Sequence, residues 1–218
     1  LDFKGIISHY PCSDDRNSCS SERVFNQFLH IVDSVGKEHI PIRSLCNSGG
    51  TLYLPKTHGE MTRVGISLYG YYPDGEAGRA AWQGEPLKPA MSYTSRVLQV
   101  NEVSAGSGIS YGHTYRADRD MKLAVLPVGY SSGYPRLVSN RAEVIVRGKR
   151  VPIRGRVCMN HCMADVSEVG DVEPGDEVVL LGSQGSETIS ADEIANWAET
   201  ISYEILCSLG NNNQRVFE

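Results

Sequence analysis

The residues of this chain best suited to chemistry are tyrosine and arginine side chains set among glycines. Tyr111 lies in residues 110–115 (SYGHTY), and Tyr130 and Arg136 lie in residues 127–136 (PVGYSSGYPR). Such segments are typical of loops that present polar groups to a cleft. A tyrosine hydroxyl has an ordinary pKa of about 10, so it needs cationic neighbours to act as a base at neutral pH. The alternatives are a half-buried tyrosine at 111 and a surface loop with a stacked cation at 130–136.

A second set of candidate residues lies near the N-terminus. His9 and Arg63 fall at the ends of two predicted parallel strands, where α/β proteins gather their sites, although a purely structural contact is the alternative. Residues 47–50 (NSGG) and 64–66 (VGI) also follow predicted strands and offer backbone N–H groups and a hydroxyl. These loops are either a phosphate cradle or plain turns.

In the first half of the chain, short apolar runs alternate with helical periodicity. One helix is predicted to begin at Ser20 or Ser21, and a short one at Gly49. The predicted strands cover residues 3–10, 42–46 and 61–69. Alternating strands and helices predict parallel strands with crossover helices, but about three strands are too few to close an eight-stranded barrel.

After a predicted linker at residues 72–86, the apolar period changes to two. The predicted strands cover residues 92–103, 122–128, 142–146, 151–157 and 177–181. A single helix at 190–200 begins with a capping box and is predicted to bury Ile194, Trp197 and Ile201. Several strands and one helix favour an antiparallel barrel or sandwich.

The composition is that of an ordinary globular protein, with 40% hydrophobic and 22% charged residues among 218. A net charge of −5 offers no basic field to nucleic acid or an anionic membrane. No membrane span or signal peptide is predicted, and the chain begins in a strand-like pattern, so we expect a fragment of a cytoplasmic protein. The cysteines are expected to be reduced, half-buried thiols. The alternative is that Cys158 and Cys162 form a metal-binding pair, but no metal is predicted.

In this order, the blocks resemble alanine racemases, which are pyridoxal-phosphate (PLP) enzymes of fold type III. Three blocks resemble the later barrel strands: 5–10 (GIISHY), 47–48 (NS) and 63–70 (RVGISLYG). The blocks that resemble the C-terminal domain are the two tyrosine segments, 87–92, 155–159 (GRVCM), 175–178 and 201–207 (ISYEILC). The implied fold class is α/β followed by β: an incomplete (β/α)8 barrel at 1–71, the linker at 72–86, and a mostly antiparallel β domain at 87–218.

The resemblance also implies roles for individual residues. Tyr111 would handle the substrate α-proton on one face, with the cofactor lysine, which has no counterpart here, as the second base. Met159 would offer its backbone N–H to the substrate carboxylate, with Tyr130 and Arg136 at the entrance. Arg63 would face the pyridine nitrogen with His9 behind it. The residues implied to bind PLP are His9, Ser48, Arg63, Gly65, Ile66 and Tyr203. The implied assembly is a homodimer in which one subunit's β domain completes the other's site.

The expected function is therefore interconversion of L- and D-alanine, which supplies D-alanine for peptidoglycan, in a fragment that lacks the cofactor lysine. Asn160 stands where an aspartate usually follows the methionine, and Ser44 replaces a histidine. Asn160 favours the first alternative, a serine or broad-specificity racemase. A related decarboxylase would need a different cysteine block around Cys158. The alternative from another class is a non-catalytic, truncated product.

Overall fold

A computed structural model describes residues 3–15 and 20–217, which fall into two compact units, Leu1–Ala90 (unit 1) and Met91–Glu218 (unit 2). Cys19, one of the predicted thiols, lies outside the described residues. None of the helices in the described ranges is both long and apolar enough to span a membrane.

Unit 1 is built from short strands and helices. Its elements are β1 (Ile6–Ile7), α1 (Ser20–Val35), β2 (Arg43–Ser44), α2 (Ser48–Tyr53) and α3 (Gly75–Ala81), with 3-10 turns at Lys37–His39, Pro55–Thr57 and Ile66–Tyr69. The strands β1 and β2 are parallel, as predicted, but much shorter than expected. Helix α1 begins at Ser20, one of the two predicted caps, and packs Phe28 and Val32 against Tyr10 and Leu45.

The predicted third strand, residues 61–69, is wrong. The segment runs beside β2, where Arg63 N donates to Cys46 O at 2.8 Å, and then turns into the 3-10 helix Ile66–Tyr69. The cause is a side chain: Ser48 Oγ accepts the N–H groups of Gly65 (2.9 Å) and Ser67 (3.3 Å) and draws the backbone out of the extended conformation. Tertiary contact therefore overrides the apolar alternation.

The segment expected from composition to be a linker, residues 72–86, contains a helix. Helix α3 occupies Gly75–Ala81, and Tyr72 before it is only 4% exposed. The Tyr72 hydroxyl accepts the Leu87 N–H at 3.0 Å, and the Trp82 ring lies 6.3 Å from the Tyr72 ring. Contacts of the buried Tyr72 therefore accompany a helix in a stretch whose glycines and acidic residues predicted none.

Unit 2 is mostly antiparallel, as predicted. Its strands are β3 (Tyr93–Arg96), β4 (Gln99–Val103), β5 (Gly108–Ile109), β6 (Tyr115–Arg116), β7 (Met121–Leu126), β8 (Glu143–Val146), β9 (Lys149–Pro152), β10 (Cys162–Asp165), β11 (Glu177–Gln184) and β12 (Glu187–Ile189). One sheet has the order β10-β7-β4, and another has the order β12-β11-β8-β9 with β3 also on β11. Strands β5 and β6 form a separate pair.

Two helices, α4 (Ala191–Ala198) and α5 (Ser202–Asn212), follow the strands of unit 2. The predicted cap is confirmed, since Ser190 Oγ accepts the Glu193 N–H at 3.1 Å, and Ile194 is fully buried. The predicted burial of Ile201 is wrong. Glu199 adopts a left-handed conformation that ends α4, so Ile201 becomes the residue before α5 and is 61% exposed.

Candidate active site

The candidate site in unit 1 is organised by Arg63. Because its segment is hydrogen-bonded to β2, its guanidinium lies across the ends of both strands. It donates to Ser8 O at 2.6 Å, to Ser44 Oγ and to His9 Nδ1 at 3.1 Å. The structure thus brings together His9 and Arg63, and Ser44 takes part in the same network.

The hydrogen-bond roles of His9 follow from its neighbours. A guanidinium can only donate, so Nδ1 of His9 accepts from Arg63. On the other side lies the Asn47 amide, whose Oδ1 accepts the Gly50 N–H at 3.0 Å, which leaves its NH2 group facing His9. That NH2 group donates to Tyr10 O at 3.2 Å. The same Asn47 nitrogen lies 3.2 Å from His9 Nε2, so the imidazole ring lies between Arg63 and Asn47.

Ser48 gathers the second group of predicted residues. It is the first residue of α2, whose N-cap is Asn47, and it is 4% exposed. Its Oγ accepts the N–H of Gly65 and of Ser67, so its own O–H remains the donor that it can offer. Ile66 begins the 3-10 turn, whose first N–H groups have no partner within the turn. Hydroxyl and backbone donors of this kind fit an anion such as a phosphate.

In unit 2, Tyr111 stands on a loop between the paired strands β5 and β6. Its side chain is 74% exposed, and its neighbours Ser110, Gly112 and His113 all have positive φ values of 59°, 70° and 46°. A Cβ built on Gly112 would lie 3.0 Å from Nη1 of Arg156. The guanidinium therefore packs against the backbone of Gly112, the residue next to Tyr111.

Sequence reasoning missed Arg156, although it stands in a segment that carried the resemblance (GRVCM, 155–159). The signal that points to it is the glycine in the middle of the Tyr111 loop, because a residue without a side chain permits a close approach. Only the structure shows which cation makes that approach.

The turn that carries Tyr130 and the loop that carries Met159 are paired by two backbone hydrogen bonds. Tyr130 N donates to Cys158 O at 3.1 Å and Ser131 N to Met159 O at 2.9 Å. Ser131 Oγ also donates to Asn160 Oδ1 at 2.6 Å. Both Met159 (55%) and Tyr130 (45%) are exposed, so the paired loops present their side chains outward.

The two remaining predicted residues lie on other elements of unit 2. Arg136 begins a 3-10 turn that ends at Val138, and Tyr203 lies in the first turn of α5. The far end of α5 supports the Tyr130 turn, since Asn213 Nδ2 donates to Ser132 O at 2.8 Å. The turn at the predicted entrance is thus fixed by the C-terminal helix.

Cys162, one of the two cysteines of the alternative metal pair, is fully buried. Burial, with a smaller contribution from Cys158, raises the pKa of its thiol to about 12. Within residues 3–15 and 20–217, no cluster of three or more His, Cys, Asp or Glu side chains is placed to hold a metal ion.

Two family models match the sequence of this chain. The model described as "Alanine racemase, C-terminal domain" matches residues 90–217, and "Alanine racemase, N-terminal domain" matches residues 1–73. The chain belongs to the alanine racemase family. Curated alanine racemases from Halothermothrix orenii and Desulfosudis oleivorans are 41% and 42% identical to it over 220 and 219 residues. These matches cover 100% of this chain but 57% and 55% of the relatives, so the chain spans little more than half their length.

Solved structures of the family agree with this fold. The alanine racemase of D-cycloserine-producing Streptomyces lavendulae has a TM-score of 0.91 at 36% identity, and that of E. faecalis has 0.90 at 32%. Each match covers 99% of this chain and 56% of the other. The Bartonella henselae alanine racemase, solved with covalently bound pyridoxal phosphate, has a TM-score of 0.84 at 28% identity, with the same coverage of both chains.

Proposed function

We propose that this chain forms part of a PLP-dependent racemase that interconverts L- and D-alanine. The observation that carries the proposal is Tyr111, whose side chain is exposed on a loop that packs against the Arg156 guanidinium. A tyrosine hydroxyl that is accessible in this way can reach a substrate and exchange a proton with it. The names of the relatives supply the substrate.

The residues of unit 1 fit the cofactor. When bound, PLP withdraws electrons from the amino acid and makes its α-proton acidic. Ser48 would offer its hydroxyl to the phosphate, and Ile66 at the start of the 3-10 turn would offer its backbone N–H, beside the Gly65 N–H that Ser48 Oγ accepts. Arg63 can only donate, so a pyridine nitrogen that faces it must accept and stays unprotonated, which weakens the ring as an electron sink. His9 holds Arg63 from behind.

The residues of unit 2 act on the substrate. Tyr111 moves the α-proton at one face, while the family's cofactor lysine serves the other. The N–H of Met159 holds the carboxylate, Tyr130 and Arg136 line the entrance, and Tyr203 joins the phosphate site.

We propose that residues 1–71 end a (β/α)8 barrel, that 72–86 connect it to the β domain at 87–218, and that two subunits share each site.

The biological setting proposed is the cytoplasm, with D-alanine supplied to peptidoglycan. The described cysteines, Cys12, Cys46, Cys158, Cys162 and Cys207, are free thiols, which accords with a reducing compartment.

Serine is the second candidate substrate, and one contact favours it. Because Asn160 Oδ1 accepts from Ser131 Oγ, the NH2 group of this amide is the part left to donate to a polar substrate side chain. An aspartate at this position would offer only acceptors. Racemisation of L-serine and L-alanine by the Asn160→Asp variant tests this: loss of serine turnover alone supports the candidate, and equal changes contradict it.

The main experiment compares this chain with the same chain completed by the part of the Halothermothrix orenii enzyme outside the match. With PLP, the completed protein is expected to racemise L- and D-alanine. Tyr111→Phe should lower kcat by about 10²–10⁴-fold, the usual contribution of a general base. Tyr115→Phe is the matched control, because Tyr115 loses only its hydroxyl and keeps its ring under Arg154.

Two outcomes contradict the proposal. One is a completed protein that binds PLP and leaves alanine unchanged, and the other is a Tyr111→Phe variant as active as Tyr115→Phe. The chain alone, treated with PLP and borohydride, is expected to retain no lysine-bound cofactor, since none of its lysines resembles the family's cofactor lysine. Peptide mass spectrometry measures this directly.

A further inference from the structure

Ser110, the residue before Tyr111, has an unusual backbone conformation. Its φ is 59° and its ψ is −176°, a region that is essentially restricted to glycine. The chain places a serine there, so the surrounding structure must hold the residue against its own preference. The question is which contacts do so.

The Ser110 side chain supplies two such contacts. Its Oγ donates to Arg156 O at 2.8 Å and lies 3.3 Å from Cys158 Sγ. A hydroxyl has one proton, and the carbonyl can only accept, so the Ser110 proton goes to Arg156 O, while the Cys158 thiol lies within reach of both Ser110 Oγ and Arg156 O (3.5 Å). The hydroxyl therefore joins the Tyr111 loop to the segment that leads directly to Met159.

The backbone shows that this approach is close. A Cβ on Gly155 would lie 2.8 Å from both Ile109 O and Ser110 Cβ, and Gly155 has a φ of 77°. Gly112 makes a second close approach, with the Arg156 guanidinium against it. The two loops are thus packed backbone to backbone, and the Ser110 hydroxyl is the side-chain hydrogen bond between them.

We propose that Ser110 is a positioning residue: its hydroxyl fastens the loop of Tyr111 to the loop of Met159 and so fixes the proton-transferring group relative to the group that holds the substrate carboxylate. This rests on the proposed function for the roles of Tyr111 and Met159. The fastening itself is a property of unit 2 and is tested separately.

The variants Ser110→Ala and Ser110→Gly separate the hydroxyl from the backbone strain. Both lack the hydrogen bond, but glycine adopts the observed φ and ψ without cost. The control is Ser183→Ala, which removes a hydroxyl that pairs with Thr188 between β11 and β12. If Ser110→Ala fails to fold, Ser110→Gly still carries the test.

The first measurement needs no catalysis. Alkylation of Cys158 by iodoacetamide in this chain, followed by peptide mass spectrometry, reports how tightly the loops are held. Both Ser110 variants are expected to raise the rate by about fivefold or more, since the thiol loses the Ser110 hydroxyl beside it and the released loop leaves it more accessible. An unchanged rate in both overturns the fastening, whatever the protein catalyses.

The second measurement is racemisation by the completed protein. Because the equilibrium constant of racemisation is 1, kcat/KM falls equally in both directions, so the rate alone does not identify the affected face. We expect kcat to fall by about 10–100-fold with a smaller change in KM, as misplacement of a reacting group by about 1 Å produces. The α-deuterium isotope effect should rise in the one direction in which Tyr111 removes the proton.

The Ser110→Gly variant distinguishes a positioning role of the Ser110 hydroxyl from a purely structural role of the residue. A Ser110→Gly protein that matches the wild type in kcat and isotope effects overturns the proposal, because the serine would then be only a strained spacer. If alkylation rises while Tyr111→Phe remains fully active, the fastening holds and the proposed function fails. The two ideas are therefore distinguishable.

Discussion

Gly129 stands where the Tyr130 turn meets the Met159 loop, and its replacement by alanine has an effect that can be worked out from the structure. A Cβ at this position would lie 2.2 Å from Cys158 O and 2.3 Å from Met159 O. Its φ is −156°, an extended conformation open to any residue, so only the close approach requires glycine.

The magnitude follows from the overlap. An ordinary Cβ contact begins at 3.4 Å, so the turn must move by roughly 1 Å. Such a shift breaks the hydrogen bonds Tyr130 N to Cys158 O and Ser131 N to Met159 O, now 3.1 and 2.9 Å. Two such bonds contribute about 2 kcal/mol, and the residual overpacking adds about 1 kcal/mol or more. Gly129→Ala should therefore destabilise unit 2 by about 3 kcal/mol.

Gly106→Ala is the matched control. Gly106 has a φ of 84°, and a Cβ built on it meets nothing within 4 Å. That variant thus carries only the cost of a left-handed alanine, about 1–2 kcal/mol. The comparison sets the steric cost expected at Gly129 against a variant whose cost comes from backbone conformation alone.

The assay is urea unfolding followed by fluorescence. The chain has two tryptophans, Trp82 in unit 1 and Trp197 in unit 2, so in a Trp82→Phe background the signal reports unit 2 alone. Amide exchange at Tyr130 and Ser131 should accelerate in Gly129→Ala only. If Gly129→Ala costs no more than Gly106→Ala and leaves exchange at these amides unchanged, the inferred close packing of the two loops is wrong.

Two further predictions concern stability. Hydrogen bonds from Arg43 lower the pKa of Glu60 to about 2 from 4.5. Because the folded-state pKa is the lower one, the contribution of the Arg43–Glu60 pair to the free energy of unfolding is complete above about pH 4.5 and is lost as the pH falls toward 2. Acid titration followed by circular dichroism should show this loss in unit 1. The Glu60→Gln variant should abolish the pH dependence. Ser190→Ala removes the N-cap bond of α4 and should lower the free energy of unfolding of unit 2 by about 1 kcal/mol, measured by urea titration. A Ser190→Asp variant, which keeps an acceptor, should lose much less.

Local signals in the sequence predicted the parts of the fold that depend on local interactions. The start of α1 at Ser20 and the cap of α4 at Ser190 follow from side chains that bond to their own helix. The antiparallel strands of unit 2 follow from alternation between turns. Helix α5 was missed by periodicity, because a cysteine, a glycine and a run of asparagines dilute its pattern of Ile205, Leu206 and Leu209.

Long-range contacts determined what the sequence could not predict. The third strand of unit 1 is absent because a serine from α2 accepts N–H groups of that segment, and no window around Gly65 contains this information. Similarly, residue types in 110–113 indicate a functional loop, but nothing in them predicts positive φ values at Ser110 and His113, which are not glycines. For Ser110, the contact that accompanies this conformation comes from a segment 46 residues away, where Arg156 O accepts from its Oγ.

The candidate residues of the two units are held by different physical means, and this predicts how each will fail. In unit 1, Arg63 and Ser48 are positioned by side-chain hydrogen bonds, so removing an atom from a partner such as His9 or Asn47 releases them. In unit 2, close backbone contact at glycines accompanies the Ser110 hydrogen bond between the loops of Tyr111 and Met159, so adding an atom displaces these loops as well as removing one. Alanine scanning that skips glycines would therefore overlook this second kind of contact. Glycine-to-alanine changes are the substitutions that reveal how unit 2 holds its site.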